Sequence, residues 1–256
     1  MIKKRFKVLP FVAFAALLAG FSAHASAADK EAGLSDIQKS EVQQVIKEYL
    51  RENPELIIEA LQSYQQKQQE QSMSAAKEKI GQYQAQLMAK GLPSAGNPDG
   101  DVTVIEFFDY NCGYCKKAIE DIKHVLETDK NVRFVFFDMP ILSPSSQEAA
   151  KWAHAAHVQG KYFEFHTALM EHTGGLDEKV LADIAKKTGL DVEKARKDAQ
   201  DPALESTLQK DVQMAHDIGI QGTPGFVIGG QLYPGYLGEE GLTKAIEDAR
   251  ASQKKN

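Results

Sequence analysis

The chain has very little cysteine: Cys112 and Cys115 are the only two among 256 residues. That scarcity excludes a scaffold stapled by several disulfides. It also excludes a four-thiolate zinc site, because no second Cys pair exists to complete the ligand set. Methionine is sparse as well, six in all with Met1 and Met73 far from the cysteines, which leaves a thioether copper site unsupported. An excess of positive charge is missing too. With 30 basic against 36 acidic residues, a formal charge of −6 argues against nucleic acid and anionic lipid as partners.

One long apolar run is present, from Val8 to Phe21, and it does not begin a fold. Lys3, Lys4, Arg5 and Lys7 precede it and Ala25-Ser26-Ala27 follows, the pattern of a secretory signal peptide cut after Ala27. The run is too short to span a bilayer comfortably. Residues 1–27 are therefore set aside as a signal peptide, which deepens the formal charge to −10 by removing those four basic residues. An exported protein of this kind is expected in the periplasm, where disulfides are made and broken.

What the chain does have is a strand running straight into Cys112-Gly113-Tyr114-Cys115. Two residues between cysteines is the spacing of a redox-active dithiol, of half a metal site, or of a structural bridge. So small a loop stabilises little as a bridge, about 2 kcal/mol against about 4.7 for a hundred-residue loop. Redox chemistry leads, and soft-metal binding by the pair stays open as the alternative of another class. His154, His157, His166 and His172 are spread over helices with no ligand spacing to the cysteines, so no metal and no cofactor is expected.

Along the chain, Ser35 with Gln38 forms a capping box for a helix carrying Val42, Ile46, Tyr49 and Leu50. Asn53-Pro54 restarts the pattern as a second helix with Leu56, Ile57, Leu61 and Tyr64. Beyond a polar stretch over 65–72, the residues Met73, Ala76, Ile80, Tyr83 and Leu87 recur at the spacing of a coiled-coil seam, weakened by Gly81. Residues 28–90 are thus expected to be a helical oligomerisation arm, the alternative being helices folded back onto the rest. Gly91 to Gly100 reads as a linker or turn. Val102–Phe108 and Val132–Phe137 are expected strands, parallel because a helix from Cys112 joins them. From Ser143 to about Ile218 the pattern is helical, and short strands around Gly225–Ile228 and Gln231–Tyr233 meet at Gly229-Gly230 before a last helix from Glu239 to Ser252. The plan is an α/β, thioredoxin-like fold over 91–256 with a helical domain inserted at about 143–218.

Phe107-Phe108-Asp109-Tyr110-Asn111-Cys112-Gly113-Tyr114-Cys115-Lys116, with Gly222-Thr223-Pro224-Gly225-Phe226-Val227 downstream, resembles the DsbA-like family of envelope thiol-disulfide oxidoreductases over roughly residues 97 to 250. The helical arm resembles the oligomeric, suppressor-of-copper-sensitivity type of that family. The resemblance implies an exposed nucleophile at Cys112 and a buried resolving thiol at Cys115. The start of a helix gives the first a physical reason, since free N–H groups and the dipole favour a thiolate there. It further implies a buried acid at Glu106 beneath Cys115, where burial would raise its pKa and let it relay a proton, although strand alternation would also allow it to point outward. Thr223-Pro224 resembles a cis-proline loop facing the cysteines, which with Gly113 and Tyr114 would bind an extended substrate. Expected partners are secreted proteins with cysteines or disulfides, a membrane redox partner, and further copies of the chain, as dimer or trimer through residues 35–90. Gly-Tyr between the cysteines and Thr before the proline look like the isomerase or reductase pattern, with a disulfide-donating oxidase as the alternative and a copper-binding envelope protein as the third reading.

Overall fold

The computed structural model describes residues 34–254, so the expected signal peptide lies outside the described residues. Two compact units divide after Glu59. In the first, α1 (Asp36–Glu52) begins at the expected capping box, with Ser35 and Gln38 bonding reciprocally. It buries no residue, and Ile37, Val45, Ile46 and Tyr49 are exposed. The first residues of α2 (Glu55–Leu87) follow Pro54 and leave Ile57 and Ile58 exposed as well.

The second unit is organised around a sheet of β1 (Ser94–Gly96), β2 (Val102–Phe108), β3 (Val132–Asp138), β4 (Gly225–Ile228) and β5 (Gln231–Pro234), in the order β1-β3-β2-β4-β5. Only β2 and β3 are parallel, Val102 lying beside Val132 and Phe108 beside Asp138. Their crossover is α3 (Gly113–Thr128), as a parallel pair requires. Side chains alternate between the faces, so Val104 and Phe108 meet Phe134, Phe136 and Phe226 under α3 and α9 (Gly238–Gln253). Ile105 and Phe107 meet Val135, Phe137 and Val227 on the other side. Both faces are covered, which is why β3 reads as an almost unbroken apolar run. At the β4–β5 hairpin, Gly229 and Gly230 take φ of 57° and 77°, a turn that L side chains rarely accept.

The inserted helices are α4 (Pro144–Val158), α5 (Tyr162–Glu171), α6 (Glu178–Lys187), α7 (Val192–Ala199) and α8 (Pro202–Asp217). Their starts are set locally: the side chains of Ser143, Asp177, Asp191 and Asp201 each accept from a backbone N–H in the first turn. No helix among the described residues is long and apolar enough to cross a membrane.

Two expectations change. The seam expected of a coiled coil is taken up within the chain: Ala76, Ile80 and Leu87 are buried, the last two packing with Tyr83 on Phe107, Val135, Met214 and Ile218, and Tyr83 bonds Asp217 of α8. The second sheet face is covered by α8 and the end of α2 together. From Ala76 to Leu87 the alternative reading therefore holds, a helix folded back onto the rest of the chain. The Gly91–Gly100 stretch is also more than a linker, since Ser94–Gly96 pairs antiparallel with β3 as an edge strand.

Candidate active site

β2 ends at Phe108, and a turn of Asp109, Tyr110 and Asn111 delivers Cys112 to the start of α3. Cys112 is the N-cap of that helix, in extended backbone conformation (φ −80°, ψ 117°), and no oxygen of its own caps the helix. Its sulfur makes no capping hydrogen bond either, but it lies near enough to the backbone N–H groups of Tyr114 and Cys115 for them to favour its charged form. Cys112 and Cys115 are both free, at 8% and 1% exposure, so the nucleophile expected to be exposed is only slightly open.

The two sulfurs are driven apart electrostatically. A hydrogen bond from Cys115 does most to pull the Cys112 thiol down, to about 5, against the opposing effect of burial and with help from the Thr223 hydroxyl and the two backbone N–H groups. Thr223 also meets the sulfur through its carbonyl oxygen, which accepts from the Cys112 thiol at 3.2 Å; that contact favours the thiol, the hydroxyl favours the thiolate. Cys115 is pushed far upward, chiefly by burial, then by its bond to Cys112 and the charge of Glu106.

Glu106 lies in β2 with its side chain on the face beneath α3, fully buried, and its Oε1 has no hydrogen-bond partner. Burial first, and then the negative charge on Cys112, push its pKa up to about 8. The outward alternative is excluded by this burial. Opposite the cysteines, the Thr223-Pro224 peptide bond is cis, and the Pro224 carbonyl accepts from Gly235 N at 3.0 Å. Gly113 faces open space, since a Cβ there would meet nothing within 4 Å. Tyr114 is 59% exposed, its ring 5.8 Å from that of Tyr236 and 5.4 Å from the Lys117 ammonium. The structure thus brings Glu106, Cys112, Cys115 and Thr223 together, with Gly113, Tyr114 and Pro224 next to them in the chain.

Sequence reasoning passed over Asp109, Asn111 and Ser146, which hold the turn before Cys112, and Tyr236, which reaches it from the β5–α9 loop. Only the Asp109-to-Asn111 pair carried a local signal, an Asx-turn in which Asn111 N bonds Asp109 Oδ1 at 2.7 Å. The histidines serve the inserted helices: His166 is buried, its Nδ1 3.1 Å from the Tyr110 hydroxyl and its pKa pushed down to about 3 by burial, while His157 Nε2 lies 2.8 Å from the Gly91 carbonyl oxygen. Lys116 donates to the His172 carbonyl.

A low-pKa sulfur on a helix start, a second thiol behind it, and a buried acid below form an arrangement that can exchange disulfides. Residues 103–247 match the family model described as a DSBA-like thioredoxin domain. The chain belongs to that family. A DSBA-like domain makes up more than half of the chain, and upstream of it residues 38–71 match the model for the N-terminal domain of the copper resistance protein ScsC. Among solved structures, a thioredoxin-like oxidoreductase from Silicibacter pomeroyi DSS-3 is 40% identical and covers 65% of this chain and 97% of its own, with a TM-score of 0.62. A linker-deletion mutant of Proteus mirabilis ScsC is 25% identical with a TM-score of 0.64, covering 86% of this chain and 99% of its own. The Na(+)/H(+) antiporter NhaA 1 of Salinispora arenicola is 32% identical over 158 residues, 61% of this chain but only 24% of that protein. The chain therefore spans about a quarter of the length of the antiporter relatives it matches.

Proposed function

We propose that the protein is an envelope enzyme of thiol-disulfide exchange, acting as a disulfide isomerase or dithiol reductase on secreted proteins. The observation that carries this reading is the Cys112 sulfur, which stands at the start of α3 beside Cys115 and Thr223, where its pKa is pulled down to about 5. An isomerase must enter a substrate disulfide as a free thiolate, and this one needs no separate base.

Cys112 attacks one sulfur of the substrate disulfide; the substrate S–S bond breaks, a Cys112–substrate bond forms, and the released substrate thiolate takes a proton or attacks another disulfide of the same substrate. If the substrate does not rearrange, Cys115 attacks Cys112 and the reduced substrate leaves. That step requires the Cys115 proton to go elsewhere. Glu106 is the acceptor: while Cys112 is a thiolate its charge helps keep Glu106 protonated, and once Cys112 is tied into the mixed disulfide that charge is gone. Burial still raises its pKa, but losing that charge shifts Glu106 toward the carboxylate at the stage that needs a base. The resulting Cys112–Cys115 disulfide is returned to the dithiol by a membrane redox partner.

Substrate binds across Gly113, Tyr114, Thr223 and Pro224 in an extended form, with Tyr114 and Tyr236 as an apolar border. Assembly into a dimer or trimer would use the exposed apolar residues between Ile37 and Met73, a role supported by the ScsC likeness over both arm and domain. Several sites would then face one substrate. The signal peptide reading supports a periplasmic location. The oxidase reading also has an observation in its favour: a depressed Cys112 pKa stabilises the reduced pair and makes the disulfide form more oxidising.

Refolding of a scrambled-disulfide substrate separates these. Full-length protein is expected to rescue it, and Cys112→Ser to be inert. A truncation beginning near Ser72, which keeps Ala76 to Leu87 on the sheet, is expected to reduce insulin-like disulfides but rescue poorly. Full-length protein that reduces such disulfides and never rescues is no isomerase; oxidised protein that gives its disulfide to reduced substrate is an oxidase. Stoichiometric Cu(I) binding without turnover would support the copper reading.

A further inference from the structure

Asp109 stands between β2 and Cys112, is 1% exposed, and takes part in no step above. Its carboxylate nevertheless receives three donors from two directions. Oδ1 accepts from Asn111 N and from Ser146 Oγ, both at 2.7 Å, and Oδ2 accepts from Leu142 N at 3.0 Å. Leu142 and Ser146 belong to the segment that starts the inserted helices. The backbone of Asp109 serves the cysteines: its carbonyl accepts from Cys112 N at 3.0 Å. Asn111 reinforces the same junction, its Nδ2 donating to Ser146 Oγ at 2.8 Å and Ser143 Oγ at 2.9 Å.

Because the N-cap side chain of α3 is the reacting sulfur itself, it cannot also serve as the fixed anchor of the turn. The anchor has to come from outside the helix. Three hydrogen bonds from two segments, Asn111 within the turn and Leu142 with Ser146 beyond it, fix a carboxylate in direction as well as place.

We propose that Asp109 is a positioning residue for disulfide exchange: its carboxylate fastens the turn carrying Cys112 to the start of the inserted helices and so holds the sulfur at the start of α3, opposite Thr223. The proposal rests on the exchange reading of Cys112. It makes the inserted domain part of the nucleophile's support, through Leu142 and Ser146. Misplacement of a reacting group by about 1 Å costs on the order of a hundredfold in rate, which sets the scale of the effect.

The test uses reduced full-length protein, Asp109→Asn and Ser146→Ala, with two readouts: the pH midpoint of thiolate absorbance, and the second-order rate with glutathione disulfide at pH 7. Removing a negative charge would by itself lower the midpoint, so a rise in Asp109→Asn reports geometry. We expect that rise together with a rate loss of about ten- to a hundredfold, and a smaller change of the same sign in Ser146→Ala, which keeps the charge. A midpoint and rate equal to wild type in both variants, with only the melting temperature lowered, overturns the proposal. Should Asp109→Asn fail to fold, Ser146→Ala decides alone: a raised midpoint supports the proposal and an unchanged one overturns it. Wild-type protein that is inert to glutathione disulfide would instead defeat the exchange reading, and a reactive wild type with equally reactive variants defeats only the role of Asp109.

Discussion

Glu106→Gln should make the reduced protein more stable at neutral and alkaline pH while impairing its chemistry. The buried carboxyl has its pKa raised from 4.5 to about 8, so its neutral form is favoured in the folded state. Its contribution is harmless below about pH 4.5 and becomes a cost as pH rises, reaching its full size above the folded value. At 1.36 kcal/mol for each tenfold change in proton affinity, the cost is about 1 kcal/mol at pH 5, about 3 at pH 7 and approaches about 5 in alkali. Glutamine cannot ionise and avoids it. The protonated acid and the amide are both neutral and similar in shape, so the two proteins are comparable near pH 4. Urea unfolding of both at pH 4, 7 and 8.5 should show the advantage of the variant growing by about 4 kcal/mol across the series. The titration of Cys112 is common to both proteins and largely cancels. Parallel stability curves would refute the argument, because Glu106 would then be ionised, and paired or solvated, at ordinary pH. The expected functional cost is slow closure of the Cys112–Cys115 disulfide, a trade of stability against activity.

Leu87→Ala, at a position 1% exposed, should destabilise the domain by about 2–5 kcal/mol in denaturant unfolding; a loss under about 0.5 kcal/mol would return the end of α2 to the arm. Leu61→Ser, by contrast, should leave domain stability within about 0.5 kcal/mol and lower the sedimenting mass, and an unchanged mass removes Leu61 from the assembly. Thr223→Val keeps the shape and removes the hydroxyl that favours the thiolate, so the absorbance midpoint of Cys112 should rise; no change would leave that work to Cys115 and the backbone.

Local features were legible in the sequence where one segment decides them. The bounds of β2, the cap at Ser35, the helix breaks at Gly160 and Gly189 and the hairpin at Gly229-Gly230 each follow from residues a few places apart. What escaped was long-range. Ile80 and Leu87 carry the same periodicity whether they meet another copy or their own sheet, and only the uncovered face of β2 and β3 decides between the two. β1 has three residues, Ser-Ala-Gly, with no strand signal of their own; β3 makes them a strand. At the site, Cys112, Cys115, Thr223 and Pro224 stood out through motifs. Asp109 did not, because Leu142 and Ser146, more than thirty residues away, give it its meaning. Arg250, which bonds both Asp101 and Asp129 across the domain, was invisible for the same reason.

The account rests on Cys112 being a thiolate at neutral pH, and absorbance near 240 nm followed against pH tests this most directly, with Cys112→Ser as the blank. A single transition with its midpoint about 5 is predicted; a midpoint near 8.5, that of an ordinary thiol, would contradict it.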